Sequence, residues 1–312
     1  MGQLRGRTVL ITGVAGFIGR YAARYFSELG WSVIGVDQVQ QENGPLQNLS
    51  AYHCIQLPDK KLAGLLGHFL PQVCIHCAGP ASVGLSMEDP SMDFYSSTVL
   101  TFEILNMLRL YCPASRFILI SSAAVYGNPS ALPIGEDQPL APISPYGFHK
   151  YQCEQLCQEF AKVYGLSTAS GRVFSAYGTG LRRQVIWDIC EKVTARKSLE
   201  LHGSGRESRD FVHAVDIVKA LFVIAETAPM EGEAYNIGSG RQVFIAELAD
   251  MILRMLGSEC KPHFDGIAPH GNPLNWQADI SKIGALGFAP EIGLEEGIKS
   301  FVNWCRSELA KI

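Results

Sequence analysis

The sequence contains no long hydrophobic run and no large excess of charge of either sign. No apolar run approaches the ~18 residues that a membrane-spanning helix needs, and no N-terminal stretch has the basic, apolar and small-residue segments of a secretory leader. The formal net charge is −4, so little positive charge is available to neutralise a nucleic-acid backbone or an anionic membrane. We therefore expect a cytoplasmic protein with neither membrane nor nucleic acid as a partner.

The cysteines do not form the pattern of a disulfide framework. They number nine and are scattered through strand-like and helix-like segments, as expected of free thiols in a reducing compartment. Cys74 and Cys77 form a C-x-x-C pair with His76 between them, a spacing that can hold a metal. The alternation along residues 73–79 instead indicates a buried strand, and no second ligand pair follows. We therefore expect no metal.

The most informative stretch of the chain joins a short β-branched run to three glycines spaced three apart. Thr8–Ile11 predicts a buried parallel strand, and Phe17–Leu29 predicts an amphipathic helix. Between them, Gly13 supplies a tight turn and Gly16 lets the backbone approach a pyrophosphate at the helix start, while Gly19 allows close packing of helix on strand. The pattern predicts a dinucleotide site, although a glycine triplet alone is weak.

A carboxylate follows the glycines at the distance expected of a ribose-binding group. The second apolar strand, Ser32–Asp37, ends in Asp37 about 20 residues past the glycines. A carboxylate there accepts hydrogen bonds from both ribose hydroxyls and repels a 2′-phosphate, which favours NAD over NADP. The alternative is an ordinary aspartate at the end of a strand.

Strand-like and helix-like segments alternate through the first half of the chain. This alternation predicts an α/β fold with a Rossmann-type, doubly wound parallel sheet. We expect an NAD-binding Rossmann domain over residues 1–176, and a smaller substrate-binding lobe over 177–312 with some segments returning to the first domain. The further predicted strands are His53–Leu57, Val73–Cys77, Arg116–Ser121 and Ser167–Val173, and the further predicted helices are Lys61–Phe69, 91–111, Pro145–Tyr164, Arg183–Ala195 and Ile245–Leu256.

The predicted helix after residue 145 carries a candidate for catalysis. Tyr146 and Lys150 are four residues apart, so they share one helix face. An ammonium beside a phenol favours the phenolate, which is then able to act as a base. Ser121 and Ser122 end the preceding strand, and their hydroxyls are placed to bond the same substrate oxygen. Y-x-x-x-K alone is more often a solvated helix face.

Several motifs in one order make the chain similar to a known family. From about Gly6 to Trp304 it resembles the extended short-chain dehydrogenase/reductases, the NAD-dependent sugar-nucleotide epimerase/dehydratase family, and in particular its UDP-glucose 4-epimerase-like members. The stretches that carry the resemblance are Thr12–Gly19, His76–Gly79, Ser121–Gly127, Pro145–Lys150, Arg172–Phe174, Arg209–His213 with Asp216, and Tyr235–Gly238.

The resemblance implies roles for particular residues. Ser122 would be the catalytic hydroxyl and Tyr146 the base, while Lys150 would bond the nicotinamide ribose. Asp59 matches the aspartate after the third strand that faces the adenine. Together with Tyr146 and Lys150, the implied NAD contacts are Gly13, Gly16, Phe17, Ile18, Asp37, Asp59, Cys77, Ala78, Gly79 and Phe174.

The resemblance also implies a nucleotide-diphosphate sugar as the substrate, bound by the second lobe. Arg209 matches an arginine that holds the diphosphate, a role suited to its planar fork of donors. The alternative for Arg209 is a structural pair with Asp210. Ser175 stands where the family usually has an asparagine that reaches the diphosphate, and we expect it, like Ser122, to contact substrate.

Other positions depart from the family pattern. Ser97 replaces an asparagine common near the cofactor, and Pro269–Asn272 reads Pro-His-Gly-Asn where the family often has Arg-x-Gly-Asp. A second diphosphate arginine is therefore missing there. Arg182 and Arg183 are the candidates to replace it.

The residues after Ser122 restrict the reaction. The family's dehydratases resemble one another in having an acidic residue there, because elimination of water needs a second acid/base pair. Ala123 and Ala124 cannot transfer a proton. We therefore expect C4 epimerisation through a transient 4-keto sugar. The alternatives are an NAD(P)H-dependent reductase of a 4-keto-6-deoxy nucleotide sugar and a non-catalytic NAD-sensing protein.

The same resemblance implies a homodimer in which two helices from each chain form a four-helix bundle. The helices over 91–111 and 146–164 have more apolar positions than one buried stripe requires. Those residues are Phe94, Leu100, Ile104, Met107, Leu108 and Tyr111 on the first helix, and Tyr151, Leu156, Phe160 and Tyr164 on the second. The alternative is that all of them face the sheet.

Overall fold

A seven-stranded parallel sheet forms the centre of the molecule. The structure is a computed structural model that describes residues 6–40, 47–195, 198–267 and 270–310. The strand order is β11-β6-β5-β4-β1-β2-β3, with every neighbouring pair parallel. These strands are β1 (Thr8–Thr12), β2 (Ser32–Asp37), β3 (Ala51–Cys54), β4 (Val73–His76), β5 (Arg116–Ser122), β6 (Thr168–Val173) and β11 (Glu231–Ile237).

Helices cover both faces of this sheet, which confirms the predicted Rossmann-type fold. Alternation along β1 shows the two layers: Val9 and Ile11 pack into one apolar core, and Leu10 packs into the other. The helices are α1 (Phe17–Glu28), α2 (Lys61–Phe69), α3 (Val83–Glu88), α4 (Pro90–Phe94), α5 (Leu100–Tyr111), α6 (Pro145–Tyr164), α7 (Gln184–Thr194), α8 (Ala214–Thr227), α9 (Ile245–Leu256), α10 (Ser281–Gly284) and α11 (Leu294–Leu309).

The smaller lobe has its own apolar core, formed mainly by α7, α9 and α11. Pairs of short strands accompany these helices. The short strands are β7 (Ser175–Tyr177), β8 (Glu200–Leu201), β9 (Ser208–Arg209), β10 (Phe211–His213), β12 (Val243–Phe244) and β13 (His263–Phe264). The chain also returns to the first lobe, since β11 extends the central sheet beside β6 and α8 packs on one of its faces. The division near residue 176 stays a prediction.

Some predicted elements were wrong in extent. The third strand occupies Ala51–Cys54 and not His53–Leu57, because its pairing with β2 starts two residues earlier. The helix expected over 91–111 is divided into α4, a π-helical segment over Tyr95–Val99, and α5. Helices α8 and α11 were not predicted.

Candidate active site

A cavity of about 930 Å³ lies at the carboxyl ends of the central strands, between the two lobes. This is where ligands bind in doubly wound sheets. Asp37, Asp59 and Ala78 do not line it. The predicted site residues that do line it are Gly13, Gly16, Phe17, Ile18, Cys77, Gly79, Ser122, Tyr146, Lys150, Phe174, Ser175 and Arg209.

The turn between β1 and α1 has the geometry of a pyrophosphate cradle. Gly13 has a φ of +66°, and a Cβ at this position would lie 2.6 Å from the backbone nitrogen of Ala78, so only glycine fits. Gly16 caps α1 without any side-chain hydrogen bond. The first N–H groups of the helix therefore remain available to an anion, which the helix dipole also favours. These residues fit the pyrophosphate of a dinucleotide.

Asp37 lies beside this turn, at the end of β2. One carboxylate oxygen accepts a hydrogen bond from the Ala15 backbone N–H at 2.9 Å, and the other accepts one from Val39 N–H at 3.2 Å. Asp37 therefore fixes the glycine turn while keeping its charge next to it. Asp59 instead accepts from the Lys61 N–H at the start of α2. Their contacts with ribose and adenine stay predictions.

Tyr146 and Lys150 face the cavity from the first turns of α6. The helix begins where the sequence predicts because Ser144 caps it and Pro145 occupies its first position. Tyr146 and Lys150 are both buried, and the Lys150 Nζ lies 5.8 Å from the centre of the Tyr146 ring. The Lys150 ammonium donates to the Ile120 carbonyl at 3.0 Å. This bond ties α6 to the end of β5.

The turn after β5 places Ser122 opposite that helix. Ser122 Oγ accepts a hydrogen bond from Ala124 N–H at 3.2 Å, which leaves its own proton available for donation. Gly147 allows α6 to pack on this turn, because a Cβ there would lie 2.6 Å from the Ala124 carbonyl oxygen. The structure therefore brings Ser122, Tyr146 and Lys150 to one cavity wall.

Ser121 differs from Ser122 in its hydrogen-bond partner. Its hydroxyl donates to the buried Glu154 carboxylate at 2.5 Å, so its proton is not available to a substrate oxygen. Side chains alternate along a strand, and Ser121 faces α6. Ser121 also lines the cavity, and its contact with substrate stays a prediction.

Behind this wall lies a charged pair that sequence reasoning did not find. Glu154 accepts from Arg172 Nη2 at 2.8 Å, and both side chains are buried. Arg172 also donates to the hydroxyl of Tyr126 at 2.7 Å. Burial alone would lower the pKa of Arg172, but the charge and hydrogen bonds of Glu154 raise it above its usual value. Burial also raises the pKa of Tyr126 to about 12. Glu154 and Arg172 are 18 residues apart in the sequence, so no local pattern indicates this ion pair.

Arg209 lies on the substrate side of the cavity, and it does not pair with Asp210. Its guanidinium donates to the carbonyls of Ser208 and Leu274, and lies 5.6 Å from the centre of the Trp276 ring. Asp210 instead accepts from backbone N–H groups, including Ala278 at 3.0 Å. Burial lowers the pKa of Arg209 to about 10, since its charge is poorly solvated. An anion in the cavity would relieve that cost.

The C-x-x-C pair is part of the core. Cys74 is fully buried, and the His76 ring nitrogen Nδ1 lies 2.7 Å from the hydroxyl oxygen of Thr12. Burial, with the nearby Lys150 charge, lowers the pKa of His76 to about 3, so the imidazole is neutral. Across residues 6–40, 47–195, 198–267 and 270–310, no cluster of three metal-ligating side chains is found. Within the same ranges, no helix is long and apolar enough to cross a membrane.

Comparison with known proteins identifies the family. The NAD dependent epimerase/dehydratase family matches residues 9–238. The chain belongs to this family. It is therefore an NAD-dependent enzyme, and the predicted cofactor NAD is confirmed.

Similar proteins match over nearly the whole chain. A Methanocaldococcus jannaschii protein, provisionally named a UDP-glucose 4-epimerase, is 33% identical over 96% of this chain and 98% of its own length. The UDP-glucuronate 4-epimerase of Thermodesulfobacterium geofontis is 28% identical over 97% of both chains. The crystal structure of Thermotoga maritima UDP-glucose 4-epimerase with UDP-glucose superposes with a TM-score of 0.88, at 28% identity, over 97% of this chain and 99% of that one.

Proposed function

We propose that this protein is an NAD-dependent 4-epimerase of a UDP sugar. The observation that carries the proposal is the cavity wall on which Ser122, Tyr146 and Lys150 meet, where none of the described carboxylates faces the cavity beside them. Ala124 is the next residue of that turn to line the cavity. Among the described residues, the acidic side chains that line the cavity are Asp188 and Glu207, both from the second lobe. One base next to a hydroxyl suits reversible oxidation at one carbon and does not suit elimination of water.

Each of the three residues has a defined task in this proposal. The Tyr146 phenolate takes the proton of the sugar C4 hydroxyl, and Ser122 donates a hydrogen bond to the same oxygen. Lys150 holds the nicotinamide ribose and supplies positive charge beside Tyr146. When bound, NAD supplies a hydride acceptor that later returns the hydride to C4. Between the two transfers the 4-keto sugar must rotate to present its other face, and Tyr146 then returns the proton to the C4 oxygen.

The nucleotide assignment is supported by the relatives and by Arg209. The similar proteins are named as epimerases of UDP-glucose and UDP-glucuronate. The Arg209 guanidinium lies in the cavity without a carboxylate partner among the described residues. A planar guanidinium is well suited to two phosphate oxygens. We therefore assign Arg209 to the diphosphate and Ser175, on strand β7, to a further substrate contact.

The test is conversion without added cofactor. Purified protein is analysed for retained NAD by mass spectrometry, then incubated with UDP-glucose or UDP-glucuronate in the absence of nicotinamide nucleotides. We expect the corresponding 4-epimer from at least one substrate. A requirement for stoichiometric NAD(P)H would instead identify a reductase, and no turnover of any UDP sugar would contradict the assignment.

We further propose a homodimer formed by α6 and the helical segment over 90–111. Part of the sequence argument was wrong, because Leu100, Ile104, Leu108 and Phe160 face the core under the central sheet. Other apolar side chains of the same helices support the proposal, since they are exposed in the monomer. They are Phe94, Tyr95, Phe102, Leu110, Tyr111, Phe148, Val163 and Tyr164.

A further inference from the structure

We propose that Arg183 is a second arginine that binds the substrate diphosphate, together with Arg209. This inference rests on the proposed function. The residue before Arg183 in the sequence, Arg182, is also an arginine. The structure separates the two arginines, because only Arg183 lines the cavity.

The two side chains leave the chain in different directions. Arg182 forms an ion pair with Glu308 of α11, on the outside of the second lobe. Arg183 instead reaches the loop after β4, where its Nη1 donates to the Ala81 carbonyl at 2.8 Å. The backbone turns sharply at Gln184, the first residue of α7, which has a φ of +69°. Few residues other than glycine adopt this conformation, so the turn is a strained feature at the cavity edge.

The charges of the cavity leave Arg183 and Arg209 as its available cations. Among the described residues, the other basic residues that line it are Lys150, Lys192 and His202. The His202 ring nitrogen Nδ1 lies 2.7 Å from Asp265 Oδ2, so His202 already has a carboxylate partner. Lys150 is tied to the Ile120 carbonyl on the wall that holds Tyr146. Lys192 is neutralised by Asp188, with Nζ and Oδ2 at 2.8 Å, and it also donates to the Glu200 carbonyl.

Arg183 has no such neutralising partner. Within the described ranges no carboxylate pairs with it, and its one hydrogen bond uses a single donor of the guanidinium. The remaining acid on the cavity wall, Glu207, is turned to the backbone and hydroxyl of Ser204. Two phosphates need more positive charge than Arg209 alone supplies. Arg183 is placed on the same cavity to provide it.

The N-terminus of α7 adds to this environment. Gln184 and Val185, the first residues of this eleven-residue helix, also line the cavity. No side chain caps the helix. Its free N–H groups and dipole therefore favour negative charge in the part of the cavity that Gln184 and Val185 line.

The test compares nucleotides with and without phosphates. Binding of uridine and of UDP to the NAD-loaded protein is measured for the wild type, Arg183→Gln, Arg183→Lys and the matched neighbour variant Arg182→Gln. We expect Arg183→Gln to weaken UDP binding by about 10-fold or more, with uridine affinity unchanged within about 2-fold. The UDP affinity of Arg183→Lys should lie between those of the wild type and Arg183→Gln, because lysine keeps the positive charge and lacks the planar set of guanidinium donors. Arg182→Gln should bind both ligands like the wild type.

The outcomes separate this inference from the proposed function. Wild-type UDP binding that Arg209→Gln weakens and Arg183→Gln leaves intact would overturn the role of Arg183 while the function stands. Equal loss of uridine and UDP in Arg183→Gln would also overturn it, because Arg183 would then only hold the Ala81 loop. A wild-type protein that binds UDP no better than uridine would remove the diphosphate substrate itself, and both proposals with it.

Discussion

Glu154 and Arg172 form a buried ion pair directly behind the strand end that carries Ser122. The pair joins two elements of the active site, since Glu154 lies one helical turn after Lys150 on α6, and Arg172 lies on β6. Ser121 donates to the same carboxylate from β5. Through Ser121 and Arg172, Glu154 therefore connects strands β5 and β6 with the helix that carries Tyr146 and Lys150.

Replacing only one member of this pair should lower the free energy of unfolding more than replacing both members. Glu154→Leu leaves the Arg172 charge buried without compensation, and we expect a loss of about 3 kcal/mol or more of unfolding free energy. The double variant Glu154→Leu/Arg172→Met buries no charge, so it should be more stable than the single variant. Denaturant unfolding measures both. A double variant at least as unstable as the sum of the two single changes would contradict the buried-pair explanation.

Tyr146→Phe should lower kcat by at least ~10²-fold while UDP-sugar binding persists, because the phenol oxygen is needed only for proton transfer. Steady-state kinetics and equilibrium binding test this directly. Tyr151→Phe is a matched control five residues later on the same helix, and it should retain activity. Near-wild-type turnover by Tyr146→Phe would show that the base has been assigned to the wrong residue.

Asp37→Ala should weaken NAD binding by about 10-fold or more and reduce the preference for NAD over NADP, because it removes the charge that opposes a 2′-phosphate. Asp37→Asn separates the effect of the Asp37 charge from the effect of its hydrogen bonds. It keeps an acceptor for the Ala15 N–H and loses only the charge, so it should relax the preference with less damage to the glycine turn. Equal affinity of the unmodified protein for NAD and NADP would refute the argument.

His76 should make the protein less stable in mild acid. Its folded pKa of about 3 lies below the ordinary 6.5, so between these values the unfolded chain binds a proton that the folded chain does not. Stability therefore falls as pH drops below about 6.5, by about 2 kcal/mol at pH 5 for this group alone. His76→Gln, measured against the wild type at pH 7.5 and pH 5, should lose less stability over that interval. An identical acid-dependent loss in both proteins would rule His76 out.

The proposed dimer should dissociate when charge is placed on its exposed apolar face. Tyr95 and Val163 are 64% and 66% exposed in the monomer, and Tyr95→Glu combined with Val163→Glu should give a monomer by sedimentation at micromolar concentration. Ile267→Glu is a matched control, since Ile267 is 69% exposed but lies in the second lobe. A wild-type mass near the 34.1 kDa of one chain would exclude the dimer.

Local signals account for the elements that were predicted well. Helix α6 has the predicted bounds because Ser144 and Pro145 mark its start and Gly165, in a left-handed conformation, ends it. The helix over 91–111 is different, since the π-helical turn at Tyr95–Val99 has no sequence signature. Helix α8 was missed because it is apolar on most sides, and this weakens the helical period.

In the candidate site too, some residues are indicated by local sequence motifs, and others depend on contacts between distant segments. Motif spacing indicates Ser122, Tyr146 and Lys150, because each lies at a fixed offset from a strand end or helix start. The partner of Ser121 depends on packing between β5 and α6, which no spacing shows. Arg182 and Arg183 are chemically alike, and only the structure separates them, because Arg182 pairs with Glu308 and Arg183 lines the cavity.

Because β11 returns to the central sheet, the first lobe is incomplete without residues from the second half of the chain. This strand covers the edge of β6, and α8 covers apolar residues such as Val173 on one face. A fragment ending near residue 176 would expose both that edge and that face, so it would be prone to aggregate. The cofactor fold of this protein is therefore not a transferable module. Insertions are better tolerated in its surface loops than at the apparent boundary between the lobes.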